Sequence, residues 1–128
     1  MIAKARVLVD EEDEPSRVLI SDVLRARGYD VLPATNGQDA VILASLHCPE
    51  IIMIDLQMPV VAGLDATQLL KASAATRAIP IVAVTASAMS GDEKHFRQMG
   101  CDAILVKPTT PSEILQMVRH FVLPQEER

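Results

Sequence analysis

Aromatic residues are almost absent from this sequence. Among 128 residues there are no Trp, one Tyr and two Phe, so aromatics make up 2% of the chain. Surfaces that bind single-stranded nucleic acid need stacked aromatic side chains, and this chain has too few to form one. Positive charge is also scarce, since 12 Lys and Arg against 17 Asp and Glu give a net charge of −5. Because phosphate binding depends on clustered Lys and Arg, we expect no direct nucleic-acid partner.

Cysteines and long apolar runs are few as well. The two cysteines, Cys48 and Cys101, lie far apart and form no CxxC motif. We therefore expect two small buried side chains rather than a disulfide or a zinc site. No apolar run reaches the length of a membrane span, and the N-terminus has no signal-peptide pattern. These absences predict a cytoplasmic protein with no membrane partner.

Hydrophobic residues, by contrast, make up 49% of the chain, enough for the core of one domain. Short apolar runs rich in β-branched residues predict strands that are buried on both faces. Longer stretches with helical spacing of apolar residues separate them. The predicted strands are Arg6–Val9, Tyr29–Ala34, Ile51–Ile54, Ile81–Val84 and Ala103–Val106, and the predicted helices are Pro15–Arg27, Gln38–Leu46, Leu64–Ala75, Ser90–Met99 and Pro111–Val122.

Local signals mark several helix ends. The segment Thr110–Glu113 is typical of an N-cap with a capping box, and Gly28 and Gly100 follow helical stretches where a left-handed residue ends a helix. The strict alternation of five strands and five helices predicts an α/β fold, with a parallel sheet covered by helices on both faces. We interpret residues 1–124 as one domain and residues 125–128 as a tail or the start of a linker.

Polar residues follow four of the predicted strands, at the edge where parallel α/β sheets place their sites. The acidic run Asp10–Glu14 follows the first strand, Asp55 the third, Thr85 the fourth and Lys107 the fifth. Each of these alone has an ordinary structural explanation, such as a turn cap, a strand end or a solvated charge. Four such groups at one edge are a much rarer coincidence, so we expect them to lie close together.

The chemistry of this group favours phosphoryl transfer. Carboxylates brought together in a partly buried cleft repel one another and require a counter-charge, which Lys107 and a divalent cation would supply. Carboxylate, carbonyl and water oxygens suit Mg²⁺ or Mn²⁺ better than zinc. The cation, Lys107 and Thr85 would bind phosphoryl oxygens. Asp55 is the candidate nucleophile, forming an acyl phosphate, because it ends the most apolar strand.

Three segments together resemble the receiver domain of two-component response regulators. They are Ile51–Pro59 with Gly63, Val82–Ala86 and Ala103–Pro108, and the similarity covers about Arg6–Val122. The resemblance implies a doubly wound five-stranded sheet of order 2-1-3-4-5, the flavodoxin-like receiver fold. It also implies a phosphorelay function, in which a histidine kinase or a histidine phosphotransfer protein donates the phosphoryl group.

The resemblance implies a role for each matching residue. Asp55 would be the phosphoacceptor, and Gln57 would offer its backbone carbonyl to Mg²⁺. Thr85 and the Ala86 N–H would bind the phosphoryl group, and Lys107 would neutralise it. The protein would then be a phosphoacceptor that assists its own phosphorylation and dephosphorylation, rather than an enzyme.

The resemblance also implies structural roles and a partner surface. Pro59 and Gly63, together with Met58, would shape the loop after the third strand. The bond between Lys107 and Pro108 is expected to be cis. The face formed by the fourth helix, the fifth strand and the fifth helix would contact a downstream effector protein.

The acidic pair departs from the family pattern, which most often has two adjacent Asp. Counting back from Gly28 and Arg17 places the pair at Glu11 and Glu12, with Asp10 where an apolar residue is usual. A shift of one residue would make the pair Asp10 and Glu11. At the second position the extra methylene of Glu would crowd an octahedral Mg²⁺, which bears directly on metal affinity.

Ile104 is a second departure from the family pattern. Ile104 lies where receivers usually carry Tyr or Phe, whose ring moves with the threonine, so we expect that coupling to be blunted.

A degenerate receiver that binds a partner without phosphorylation is one alternative to the phosphoacceptor function. A haloacid-dehalogenase-like phosphatase is another, although it needs a general acid where this chain has Gln57. The chain is either a stand-alone receiver or part of a larger regulator or hybrid kinase.

Overall fold

The structure is a computed structural model that describes residues 4–56, 61–86 and 92–124, and of residues 61–64 and 92 it describes only the backbone. Five strands and five helices alternate through these residues, which confirms the predicted pattern. Their order is β1 Arg6–Asp10, α1 Glu14–Arg25, β2 Asp30–Ala34, α2 Gly37–His47, β3 Ile51–Leu56, α3 Val61–Ala72, β4 Ile81–Thr85, α4 Asp92–Gln98, β5 Ala103–Val106 and α5 Pro111–Phe121.

All strands pair in parallel, and the sheet order is β2-β1-β3-β4-β5. The predicted doubly wound topology is therefore confirmed. The register fixes which strand ends are neighbours: Asp10 of β1 lies opposite Ile54 of β3, and Leu56 of β3 lies opposite Thr85 of β4. The carboxyl ends of β1, β3 and β4 consequently meet at one edge of the sheet.

Apolar residues fill both faces of the sheet because neighbouring residues of a strand point to opposite sides. On β1, Val7 and Val9 join a cluster that includes Leu24 of α1 and Val118 of α5. Leu8 instead joins a second cluster that includes residues of α2, α3 and α4. The central strands β1, β3 and β4 are almost wholly buried, as expected for a parallel sheet covered on both faces, whereas the edge strands β2 and β5 each include an exposed residue.

Several boundaries differ from those predicted. Three strands are longer than predicted, because β1 includes Asp10, β3 includes Asp55 and β4 includes Thr85. Helix α3 ends at Ala72 rather than Ala75, and the Thr76 hydroxyl donates a 2.6 Å hydrogen bond to the carbonyl of Leu70 just beyond this end. Hydropathy did not predict where these elements end, because pairing between strands and side-chain caps determine their ends.

Helix caps follow the predicted chemistry more closely. Thr110 caps α5, and a reciprocal capping box with Glu113 is present. Gly28 and Gly100 both have positive φ, as predicted. The prediction for Cys48 was wrong, because this cysteine is exposed, whereas Cys101 is buried. Cys48 caps α2 in the left-handed region with φ 45°, so it lies at the turn that leaves the helix rather than in the core.

The opposite edge of the sheet is held by an ion pair between α3 and the turn before β5. Lys71 Nζ lies 2.9 Å from Asp102 Oδ2, which also accepts a 2.8 Å hydrogen bond from the Ile81 N–H. Gly100 lies against this pair with φ +113°, and a Cβ added there would be 2.8 Å from Lys71 Cγ. The segment between α4 and β5 therefore requires glycine for both conformation and space.

We predict that Gly100→Ala lowers the free energy of unfolding by about 1–3 kcal/mol, because the alanine would meet Lys71 in a backbone conformation that side chains disfavour. Gly37→Ala is the matched control, since Gly37 begins α2 and is not among the described residues with positive φ. Urea denaturation of both variants measures the difference. Equal stability of the two variants would contradict this explanation.

Candidate functional site

The candidate site is built on the carboxyl ends of β1 and β3. Glu11 directly follows β1, and its N–H donates a 3.0 Å hydrogen bond to the carbonyl of Ala34. Asp55 lies near the end of β3, one residue past Ile54, which is the register partner of Asp10. The side chains of Glu11 and Asp55 are 2% and 5% exposed, so two carboxyl groups are buried at neighbouring strand ends.

Lys107 brings a positive charge to these carboxyl groups from the end of β5. Its Nζ lies 2.7 Å from Asp55 Oδ2 and 3.7 Å from Glu11 Oε1. The Lys107 N–H donates a 2.8 Å hydrogen bond to the carbonyl of Thr85, which anchors its backbone beside β4. The bond to Pro108 is cis, as the resemblance implied. The structure thus brings together three of the predicted site residues.

The loop after β1 is held by α1. Arg17 Nη1 donates hydrogen bonds of 2.8 Å to the carbonyl of Glu11 and 3.3 Å to that of Glu12. Asp13 accepts a 3.1 Å hydrogen bond from the Ser16 N–H and so caps α1. These contacts fix the backbone of the acidic run independently of any cation.

The other predicted site residues lie in different surroundings. Glu12 is exposed and Asp10 is buried. Thr85 is buried at the end of β4, and Ala86 is exposed just after it. Ile104 is half-buried on β5 and packs against the core cluster on the α2 side of the sheet. Gln57, Met58 and Pro59 lie outside the described residues, and of Gly63 only the backbone is described, within α3.

The electrostatics of the site are unfavourable without a further cation. Burial raises the pKa of Asp10 from 3.8 to about 7, and the charges of Asp55, Asp39 and Glu12 add to this. Burial also raises the pKa of Glu11 to about 7, with a hydrogen bond to Asp55 and its charge adding to the effect against the opposing charge of Lys107. Carboxyl groups with such pKa values are short of positive charge.

The pKa of Lys107 is also raised, but for an ammonium this favours the charged form. Burial alone would lower the pKa of its ammonium, but the hydrogen bond and charge of Asp55, together with the charge of Glu11, outweigh burial and raise it. Lys107 therefore stays protonated, and one positive charge faces several carboxyl groups.

The donor atoms at this edge fit a hard divalent cation. They are carboxylate oxygens without nearby thiol or imidazole ligands among the described residues of the site, a set that suits Mg²⁺. Within residues 4–56, 61–86 and 92–124, however, no three Asp, Glu, His or Cys side chains are grouped closely enough to hold a metal by themselves. A cation here would keep water or backbone ligands, as Mg²⁺ commonly does.

A doubly wound parallel sheet of order 2-1-3-4-5, with a strand-end aspartate beside a lysine and an acidic residue, defines the receiver class of signalling proteins. A sequence model described as "Response regulator receiver domain" matches residues 7–119. The chain therefore belongs to the response regulator receiver domain family. Receiver domains of this family act in two-component signalling, interact with histidine kinases and effectors, and bind Mg²⁺ in the active site.

Individual relatives agree with this assignment. The chain is 38% identical over 116 residues to the polar-differentiation response regulator DivK of Brucella anthropi, covering 91% of this chain and 94% of DivK. It superposes on chemotaxis protein CheY4 of Vibrio cholerae with a TM-score of 0.87 at 25% identity, covering 94% of this chain and all of that one.

One structural neighbour was crystallised with its metal. It is the receiver domain of a sensor histidine kinase from Pseudomonas aeruginosa PAO1, which has a magnesium ion coordinated in the active-site cleft. The TM-score is 0.83 at 30% identity, and the match covers 93% of this chain and 98% of that one. None of the described helices of this chain is long and apolar enough to cross a membrane.

Sequence reasoning missed two features of the site. Arg17 served only to align the acidic pair, yet its side chain binds the carbonyls of Glu11 and Glu12. The sequence does carry a signal for this contact, namely a basic residue in the second turn of a helix that follows an acidic loop. Asp39, in the first turn of α2, also acts on Asp10 through its charge, and nothing in its local sequence indicated this.

We predict that the metal-free protein becomes less stable as pH rises from 6 to 8. The folded state keeps protons on Asp10 and Glu11 up to about pH 7, whereas the unfolded chain releases them near pH 4. The free energy of unfolding should therefore fall by roughly 2–3 kcal/mol over this interval, about half of it from each group. Urea denaturation in the presence of a chelator measures it, and Asp10→Asn should flatten the dependence. Stability that rises with pH in this range would contradict the prediction.

Proposed function

We propose that Asp55 accepts a phosphoryl group from the phosphohistidine of a histidine kinase or a histidine phosphotransfer protein. The observation that carries this proposal is the contact between Lys107 Nζ and Asp55 Oδ2 at 2.7 Å, formed at the buried end of β3. A carboxylate held by an ammonium at a rigid strand end is well placed to attack phosphorus. We further propose that residues 1–124 form this receiver and that it works in the cytoplasm.

In the proposed reaction an Asp55 carboxylate oxygen attacks the phosphorus atom of phosphohistidine. The new O–P bond forms as the P–N bond breaks, and the imidazole leaves with the electron pair and takes up a proton. The Lys107 ammonium is positioned to neutralise charge on the transferred oxygens. Thr85 and the Ala86 N–H, at the end of β4, would bind the remaining oxygens.

Magnesium would be held by Asp55, by the acidic pair and by the backbone carbonyl of Gln57. We assign the pair to Glu11 and Glu12, because Glu11 lies against Lys107 and Glu12 directly follows it in the loop that Arg17 holds. When bound, Mg²⁺ supplies positive charge to phosphoryl oxygens. Mn²⁺ has the same ligand preferences and is expected to substitute for it.

Phosphorylation of the site would change the neighbouring surface through Lys107 and Thr85. A phosphoryl group adds negative charge and new acceptors beside Lys107 and Thr85. The face formed by α4, β5 and α5 lies next to these residues, because Lys107 directly follows β5. This face has an open groove of about 530 Å³, lined in part by Arg97, Met117 and Phe121. We propose that it contacts an effector protein.

The direct test is phosphorylation by a small acyl phosphate. Incubation with Mg²⁺ and acetyl phosphate should add the mass of one phosphoryl group, and Asp55→Asn should abolish the addition because the nucleophile is lost. Intact-protein mass spectrometry measures both. Asp65→Asn is the matched control, since Asp65 is an exposed aspartate on α3.

Three outcomes would contradict the proposal. No mass gain in the unmodified protein at saturating Mg²⁺ and donor would favour a receiver that binds partners without phosphorylation. Repeated turnover of a phosphate monoester would instead favour a phosphatase of the haloacid-dehalogenase type. A mass gain that survives Asp55→Asn would move the phosphoacceptor to another residue.

A further inference from the structure

Arg17 is a cation on α1 whose side chain binds backbone carbonyls of an acidic loop. Its Nη1 donates hydrogen bonds of 2.8 Å to the carbonyl of Glu11 and 3.3 Å to the carbonyl of Glu12. The side chain is half-buried. Although the loop is acidic, the guanidinium forms no ion pair within the part of the chain that the structure describes. Arg17 therefore acts on the course of the loop backbone.

The first turn of α1 holds the same loop at a second point. The Arg17 N–H donates a 2.9 Å hydrogen bond to the carbonyl of Asp13. Asp13 Oδ2 accepts hydrogen bonds of 3.1 Å from the Ser16 N–H and 2.6 Å from the Ser16 hydroxyl. The Arg17 side chain reaches back over residues 11 and 12, which lie before this cap. The loop is consequently attached to α1 along its whole length.

Glu11 shows how these backbone contacts position a carboxylate. Its N–H donates to the carbonyl of Ala34 at 3.0 Å, and its own carbonyl accepts from Arg17. With both backbone groups held, the direction in which the side chain leaves the backbone is fixed. That side chain is 2% exposed, and its Oε1 lies 3.7 Å from Lys107 Nζ. Arg17 thus contributes to the placement of the Glu11 carboxylate at the reactive edge without touching it.

We propose that Arg17 is a positioning residue of the cation site, which holds Glu11 and Glu12 in place before a cation arrives and so raises the affinity for Mg²⁺. This inference rests on the proposed magnesium site and adds a residue that contacts neither the metal nor the phosphoryl group. Groups that orient metal ligands commonly contribute about 10–100-fold to metal affinity. They do so because ligands that are already ordered lose less conformational freedom on binding.

The charge of Arg17 gives this proposal a distinctive sign. A guanidinium beside the loop repels a divalent cation, so on electrostatic grounds alone its removal would strengthen Mg²⁺ binding. As a positioning residue it has the opposite effect, because its removal releases the carbonyls of Glu11 and Glu12. A role in stability alone would lower the melting temperature without changing the Mg²⁺ affinity. The direction of the change in affinity therefore distinguishes the three explanations.

The experiment measures Mg²⁺ affinity through stability, with no phosphodonor present. The melting temperature of the full chain is followed by circular dichroism as MgCl₂ is added, against a NaCl series of matched ionic strength. Arg17→Met keeps the apolar stem but removes the donors and the charge, and it should weaken the apparent affinity by about tenfold. Arg17→Lys keeps a donor and the charge, so its affinity should lie between those of Arg17→Met and the unmodified protein.

Arg25→Met is the matched control, since Arg25 is an exposed arginine in the last turn of α1. It should leave the Mg²⁺ affinity unchanged. Hydrogen exchange without Mg²⁺ gives a second measurement that does not depend on the cation. The amides of residues 11–13 should exchange faster in Arg17→Met than in Arg25→Met, because the loop has lost its attachment to the helix.

The proposal is overturned if Arg17→Met binds Mg²⁺ as tightly as the unmodified protein or more tightly. It is also overturned if Arg25→Met weakens binding equally, or if Arg17→Lys binds no better than Arg17→Met. Should Arg17→Met fail to fold, Arg17→Lys must still bind Mg²⁺ more weakly than the unmodified protein, since its charge is intact.

These results are independent of phosphorylation. Unchanged affinity in Arg17→Met, with a normal mass gain at Asp55 in the unmodified protein, would refute this inference alone. Weakened affinity in Arg17→Met, without any mass gain in the unmodified protein, would refute only the phosphoacceptor function.

Discussion

The contact between Lys107 Nζ and Asp55 Oδ2 joins two strand ends that are 52 residues apart in the chain. It exists because β3, β4 and β5 pair in parallel, so their carboxyl ends reach the same edge of the sheet. The remainder of the site is arranged around this pair. Glu11 approaches the same ammonium from β1, and the backbone of Lys107 is tied to the end of β4. A fold that did not bring β5 to this edge would remove the Lys107 ammonium from the Asp55 carboxylate.

The sheet edge combines a stable scaffold with an unstable cluster of charges. The central strands beneath it are apolar and almost wholly buried, whereas Asp10, the last residue of β1, and Asp55, the last but one of β3, are acidic. Burial that stabilises Val9 and Ile54 destabilises Asp10 and Glu11, since the hydrophobic effect and charge desolvation depend on burial with opposite signs. The strain is therefore local, and the two apolar clusters on either face of the sheet support it. Function accounts for retaining such a cluster better than stability does.

Much of the fold and part of the site could be predicted from the sequence. The apolar runs Ile51–Ile54 and Ile81–Val84 are short and rich in β-branched residues, which predicted two buried strands. Asp55 and Thr85 directly follow these runs, which predicted two residues of the site. Hydropathy did not predict the burial of Asp10, because it assigns a charged residue after an apolar run to the loop, whereas ladder pairing with Ala34 and Ile54 keeps Asp10 in the strand. Only the alignment of the acidic pair at Glu11 and Glu12 placed Asp10 where an apolar residue is usual. The exposure of Cys48 was missed for a related reason: its left-handed backbone is set by the end of α2 rather than by the character of the thiol.

Ile104 is the position at which we expect the signalling response to differ from the family pattern. It lies on β5 opposite Ala83 and packs into the core cluster on the α2 side, next to the strand that carries Thr85. Isoleucine has few rotamers and no polar group, so we expect it to respond to a new charge at Asp55 only through small shifts in packing. Lys107, three residues further along the chain, contacts Asp55 directly and follows the same strand. We therefore expect any movement of β5 and of the α4–β5–α5 face to be transmitted through the Lys107 backbone rather than through rotation of the side chain at position 104.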